Sequence, residues 1–294
     1  MLLALLQTMR PKQWLKNAII FAALVFDHQL LQTRPFLRTL AGFALLCALS
    51  SAVYLLNDLA DIEKDKLHPK KRLRPLPSGR LKREVALAAA IVLPLVALPL
   101  SFALDWRFAL IAALYIVSNV LYSFRLKHIV IIDVLVLALG YLLRVGAGVV
   151  LITVERFSPW LYLCITLLAL FMGFGKRRGE LVLMQADVGA GRRVLKDYSL
   201  PFLDELINVV STALIMAYSL YTFSAPNLPA NHAMMLTIPF VLYAIFRYLY
   251  LIHIKGEGGA PDELVFTDRP LQISFVLWAL SAVAVLYLSA LLPL

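Results

Sequence analysis

The stretch Tyr54-Leu55-Leu56-Asn57-Asp58-Leu59-Ala60-Asp61-Ile62-Glu63-Lys64-Asp65 decides how this chain is read, because it joins a long apolar run to a row of oxygen-bearing side chains. Continued as a helix, it places Tyr54, Asn57 or Asp58, Asp61 and Asp65 on one face. Like charges at that spacing repel, so an isolated helix would disfavour them and something cationic must compensate. Mg2+ takes oxygen ligands, retains several waters and is commonly held by one or two carboxylates together with substrate phosphates. Asn57, Asp58, Asp61 and Asp65 suit that role. The plainer alternative is a solvated helix end neutralised by Lys64 and Lys66. The position at the end of an apolar span and the spacing N-D-x-x-D-x-x-x-D favour the metal.

Outward from this motif the chain is 61% hydrophobic and 16% charged, with its charges gathered into short stretches between apolar runs. A soluble domain is roughly half apolar, so this is the composition of a polytopic membrane protein. Spans are predicted near 17–33, 36–56, 85–104, 107–123, 129–151, 158–175, 203–223, 233–252 and 271–293. The first is interrupted by Asp27 and His28. With the N-terminus inside, 22 of the 28 Lys and Arg residues fall on one side, mostly in the loops 57–84 and 176–198. That excess assigns those loops, with 124–128 and 253–270, to the cytoplasm of a multi-pass protein in the cell membrane. Trp14, Trp106 and Trp160 stand at span ends, where amphipathic rings anchor in the interface.

Orientation accounts for much of the net charge of +10, and no nucleic-acid partner is expected. Met1–Leu6 is apolar with basic residues after it, the reverse of a secretory signal, so no cleaved leader is expected. Cys47 and Cys164 lie in apolar runs without metal or redox spacing. Pro94 and Pro99 inside the third span read as a packing kink. The whole chain, 1–294, is read as one all-α membrane domain.

The motif at 57–65, followed by Arg74-Pro75-Leu76-Pro77-Ser78-Gly79-Arg80, resembles the first signature of the UbiA superfamily of intramembrane prenyltransferases. The resemblance implies a nine-helix transmembrane bundle with functional loops after helices two and six. Typical members carry a second aspartate-rich motif after helix six. Here that loop reads Gly175-Lys176-Arg177-Arg178-Gly179-Glu180-Leu181, continues to Asp187 and then gives Arg192, Arg193 and Lys196, so it is basic. One acidic cluster among many cations should hold more phosphate than a single prenyl diphosphate brings.

Four segments are similar to one branch of the superfamily, the decaprenyl-phosphate phosphoribosyltransferases. They are Arg10-Pro11-Lys12-Gln13-Trp14-Leu15-Lys16-Asn17, Tyr122-Ser123-Phe124-Arg125-Leu126-Lys127-His128, the Gly-Lys-Arg…Glu-Leu loop and Thr267-Asp268-Arg269-Pro270-Leu271. The resemblance implies transfer of phosphoribose from phosphoribosyl diphosphate to a polyprenyl phosphate, with Mg2+ as cofactor, substrates and membrane lipids as partners, and a homo-oligomer left open. On this reading Asn57, Asp58, Asp61 and Asp65 serve the metal, and Asp58, Asp61 and Lys127 are the catalytic candidates. Lys16, Tyr54, Lys71, Arg74, Tyr122, Lys127, Arg144, Lys176, Arg177 and Glu180 are the substrate-binding candidates.

Arg144 stands out without the resemblance, because it sits deep in the fifth span, where insertion of a charge costs about 2.5–3.5 kcal/mol. Asp133 shares its helical face, but eleven residues at helical rise separate their backbones by roughly 16 Å, so a direct pair is not expected. Phosphate is the expected partner. Arg247, nearer a span end, is expected to snorkel. Lys70 and Arg72 could bind phosphate or anionic lipid, and His68 and His128 are interface residues. Two competing functions remain. A prenyltransferase acting on an aromatic or glycerol-phosphate acceptor would normally make the helix-six loop acidic. The other is no enzyme but a transporter or lipid-binding membrane protein, against which stand aspartates at the interface rather than at mid-membrane and the absence of visible inverted repeats.

Overall fold

Small side chains at the buried positions of long apolar helices let this chain pack, since lipid offers apolar groups no less favourable a setting than a neighbouring helix does. The computed structural model describes residues 1–67, 71–154, 158–186, 193–226, 228–256, 264 and 267–288. Among them the ordered elements are helical, and eight helices are long and apolar enough to cross a membrane. The protein is an integral membrane protein.

The chain begins with α1 (Leu2–Met9), then a 3-10 segment (Pro11–Phe21) that runs into α2 (Ala22–Phe26). The predicted span 17–33 is therefore displaced: helix starts at Pro11 and stops before Asp27, one of the two polar residues that interrupt the apolar run. Pro11–Phe26 is not among the eight helices long and apolar enough to cross a membrane, although eleven residues at 3-10 rise and five at α rise add up to about 30 Å, the thickness of the hydrocarbon core. The chain continues with α3 (Thr33–Ala60), α4 (Ile62–Leu67), α5 (Arg83–Leu104), α6 (Trp106–Phe124), α7 (Ile132–Leu151), α8 (Pro159–Ala186), α9 (Leu200–Ser224), α10 (Ile238–His253) and α11 (Arg269–Leu288).

Two compact units divide the chain. The first comprises Met1–Val25, Gln29–Phe124 and Leu143–Val154. Its central pair is α3 against α5, and the buried positions of α5 are Ala86, Ala90, Ala97 and Ser101, a stripe of small residues at helical spacing. The α5 helix runs unbroken through Pro94 and Pro99. The 3-10 segment lies against the last turns of α7, where a Cβ on Gly148 would collide with the carbonyl oxygen of Ile20. At the opposite end of α3 from the acidic motif, Arg38 donates to the carbonyls of Leu151 (2.9 Å) and Leu104 (3.2 Å). It thereby satisfies the orphan carbonyls that end two helices.

The second unit comprises Phe26–His28, Arg125–Leu142 and Glu155–Leu294. Here α8 packs along α9, and α10 along α11. Ser199 caps α9 by accepting from the Phe202 amide. Asp268 does the same for α11 through the Leu271 amide (2.9 Å), while its carboxylate takes both prongs of Arg247 at 3.1 and 2.7 Å. Arg247 thus pairs rather than snorkels, and its hydrogen bonds hold the Asp268 carboxyl below the usual range. That gives the Thr267–Leu271 motif a role in joining α10 to α11.

Candidate active site

The acidic motif does not lie on one unbroken helix. Asp61 leaves helical geometry (φ −101°, ψ 8°), ending α3 before α4 resumes. Even so, the Asp61 amide donates to Asn57 (3.0 Å) and the Asp65 amide to Asp61 (2.8 Å). These four-residue bonds keep Asn57, Asp61 and Asp65 stacked, as the spacing predicts.

The carboxylates differ in their partners. Asp58, with a side chain only 5% exposed, accepts from Arg10 Nη2 at 2.5 Å and lies 3.4 Å from Arg74 Nη1. Asp65, equally buried, accepts from Arg74 Nη1 at 2.7 Å, with Lys71 Nζ at 3.9 Å. Asp61 is half-buried, and among the described residues no side chain bonds to its carboxylate. Asn57 Oδ1 accepts from Ser123 Oγ at 2.5 Å. Arg10 also stacks over the Tyr54 ring, 5.0 Å from its centroid. It occupies a left-handed backbone position (φ 55°) between α1 and the 3-10 segment.

Sequence reasoning singled out neither Arg10 nor Ser123, although both lie inside the quoted motifs. A non-glycine residue at positive φ next to a proline is visible only in the folded backbone. Lys16 is half-buried on the 3-10 segment, and Tyr122 is half-buried beside Ser123 at the end of α6.

Arg144 is buried, and its guanidinium donates to Asn17 Oδ1 (2.7 Å) and the Tyr115 hydroxyl (2.9 Å) while stacking on the Tyr115 ring. Asn17 in turn reaches Ser50 Oγ (3.2 Å) and Cys47 Sγ (3.3 Å) on α3. As the helical separation requires, Arg144 and Asp133 are not partners.

In the second unit, Arg177 is fully buried. Its Nε donates to Asp133 at 2.5 Å and its Nη1 to Glu180 at 2.6 Å. The Tyr198 hydroxyl donates to Asp133 Oδ1 (2.8 Å) and accepts from the Ile131 amide (2.7 Å). Burial pushes that hydroxyl above its ordinary range, so it stays a donor. Lys127 and Lys176 are half-buried. His68, Lys70, Asp187 and Arg192 lie outside the described residues.

Among the described residues no three His, Cys, Asp or Glu side chains form a preassembled metal cage. The donors present are an amide oxygen on Asn57 and an open carboxylate on Asp61. This all-oxygen set fits a hard cation that keeps its waters and completes its shell with phosphate.

A lipid-embedded helical fold with an acidic motif and flanking arginines at one helix end defines the class, and the chain belongs to the UbiA prenyltransferase family, whose model matches residues 18–266. It is similar over 97% of its length to two proteins named decaprenyl-phosphate phosphoribosyltransferase. The one from Mycolicibacterium smegmatis is 30% identical with 93% of its length covered, and the one from Corynebacterium glutamicum 32% identical with 87% covered. A UbiA homolog from Archaeoglobus fulgidus bound to GPP and Mg2+ shares the fold, with a TM-score of 0.72 at 18% identity over 96% of this chain and 99% of that one.

Proposed function

We propose that this chain transfers 5-phosphoribose from phosphoribosyl diphosphate to a polyprenyl phosphate of the decaprenyl type, at the cytoplasmic face of the cell membrane. The observation that carries the reading is the near full-length likeness to two proteins of that name. The site supports it, because Arg10, Arg74 and Lys71 gather around the acidic motif where phosphate charge would need neutralising.

In this reaction an oxygen of the lipid phosphate forms a bond to C1 of the ribose. The C1–O bond to diphosphate breaks, and its electron pair leaves with the diphosphate. Little covalent chemistry falls to the protein, so positioning and charge neutralisation are the main demands. Asn57 and Asp61 would hold Mg2+, whose chemistry there is to neutralise the departing diphosphate. Lys16, Tyr54 and Tyr122 supply donors around the substrate. Lys127 and Lys176 are assigned to substrate phosphate. Arg177 and Glu180 serve by holding Asp133.

The test uses purified protein, Mg2+, labelled phosphoribosyl diphosphate and a polyprenyl phosphate. Label should enter the organic phase only when lipid and Mg2+ are both present. Transfer of a prenyl chain from its diphosphate to an aromatic or glycerol-phosphate acceptor, with no pentose transfer, would overturn the reading.

A further inference from the structure

The three aspartates of the motif are not equivalent, and the difference divides the motif's labour. Asp58 and Asp65 have side chains 5% exposed and already bonded to guanidinium groups, whereas Asp61 is more open and, among the described residues, unengaged. Mg2+ sheds water reluctantly and approaches ligands with part of its hydration shell, which favours Asp61 over the two covered carboxylates. The arginines show the opposite pattern, for Arg10 and Arg74 side chains are 31% and 33% exposed. Each meets the carboxylates through a single terminal nitrogen, Nη2 of Arg10 and Nη1 of Arg74. A guanidinium carries five N–H donors in a planar fork, so each keeps an open edge that matches a phosphate two-prongedly.

We infer that Arg10 is a diphosphate-binding residue, and that Asp58 acts as its positioning residue rather than as a metal ligand. Arg74 does the same work from Asp65. Tyr54 supports the arrangement, since the Arg10 guanidinium lies over its ring at 5.0 Å from the centroid, a cation–π contact that favours that placement. The family match begins at residue 18, so Arg10 lies on a segment outside it. The inference rests on the proposed phosphoribosyl transfer for the identity of its ligand.

Two binding measurements on the full-length protein in detergent test it. The first titrates Mn2+, a spin probe for the Mg2+ site, by electron paramagnetic resonance. Asp61→Asn should weaken binding by about tenfold or more, the effect of losing a ligating charge, while Asp58→Asn should leave it nearly unchanged. The second titrates inorganic diphosphate by calorimetry with Mg2+ present. Arg10→Gln should weaken it by about tenfold to a hundredfold, the range for one charge-assisted hydrogen bond, with Arg10→Lys in between.

Asp58→Asn should weaken diphosphate binding as well, and the Arg10→Gln/Asp58→Asn double variant should be no worse than Arg10→Gln alone. If the double variant recovers diphosphate binding, Arg10 merely neutralises Asp58 and the assignment fails. Loss of Mn2+ in Asp58→Asn to the degree seen in Asp61→Asn overturns it too. Should Asp58→Asn not fold, the order of Gln, Lys and Arg at position 10 decides. Failure of the wild type to move labelled pentose, with both titrations as expected, would refute the proposed transfer and leave the arginine assignment standing.

Discussion

Each unit of this protein contains an arginine–carboxylate network, and the two are built oppositely. In the first, Asp58 and Asp65 are covered while Arg10 and Arg74 keep about a third of their side-chain surface open. In the second, Arg177 and Asp133 are both fully buried, and Glu180 and Tyr198 take up further hydrogen-bonding capacity. Identical chemistry therefore has different uses. A guanidinium with donors to spare can bind a ligand, whereas one enclosed by its counter-charges holds elements together. Here it ties α8 to the start of α7 and, through Tyr198, to the segment before α9.

The largest expected effect tests the open network. Asp61→Ala, and Asn57→Ala beside it, should cost at least about a thousandfold in turnover, since a bound metal contributes several kcal/mol of charge stabilisation. Thermal unfolding of Asp61→Ala in detergent should be nearly unchanged, because among the described residues no side chain depends on Asp61, whereas Asn57→Ala also gives up the Ser123 bond and should unfold slightly lower. Near-normal turnover of both variants at limiting Mg2+ would remove the metal from that face.

The closed network should fail in the other observable. Arg177→Met leaves Asp133 buried without its ion partner, a loss of about 3–5 kcal/mol. A sharp fall in unfolding temperature is expected, with the protein in the membrane much depleted. A variant that folds normally yet loses affinity for phosphoribosyl diphosphate would mean that Arg177 reaches substrate and that the contrast between the networks is false.

Arg144 lies between these cases. Its observed bonds go to Asn17 and Tyr115, which ties the 3-10 segment to α6 and α7 within the first unit. Arg144→Met should lower stability by about 1–3 kcal/mol, the cost of leaving buried polar groups unsatisfied. The effect should be strongly non-additive with Asn17→Ala, as expected for residues in contact. If stability holds while catalytic efficiency drops tenfold or more, Arg144 contacts substrate phosphate instead.

Much of this was legible in the sequence because lipid makes the rules strict. Apolar runs of span length must be helical, and eight of the nine predicted spans correspond to long helices. The spacing of Asn57, Asp61 and Asp65 survived even the break at Asp61, because backbone bonds over four residues persist across it. The first span was misplaced because composition carries no information about the 3-10 geometry in which the chain becomes helical from Pro11, ahead of the predicted start. Partnership was the least legible feature. Arg177 and Arg144 look alike as cations near apolar sequence, and only the fold shows that one meets Asp133 and the other Asn17. Arg10 escaped notice because its partner Asp58 is 48 residues away.

The smallest expected effect sharpens the account of the open network. Ser123 Oγ has one proton and two acceptors in reach, Asn57 Oδ1 at 2.5 Å and the Asn119 carbonyl at 2.7 Å. Asn119 lies on α6 itself, so only the bond to Asn57 fastens the end of α6 to the end of α3, and that bond fixes the rotamer of the Asn57 amide. An amide oxygen has two lone pairs, so accepting from Ser123 leaves one for a cation. Ser123→Ala removes a neutral hydrogen bond of about 0.5–1.5 kcal/mol, and the lost order of Asn57 should appear as a rise of about two- to tenfold in the Mg2+ concentration needed for half-maximal activity. The unfolding temperature and the Michaelis constant for the lipid should change little. Ser123→Thr keeps the hydroxyl and should restore most of the metal affinity. A Thr variant as impaired as Ala would mean that Ser123 matters for its size at a tight helix crossing, and that Asn57 is oriented by other means.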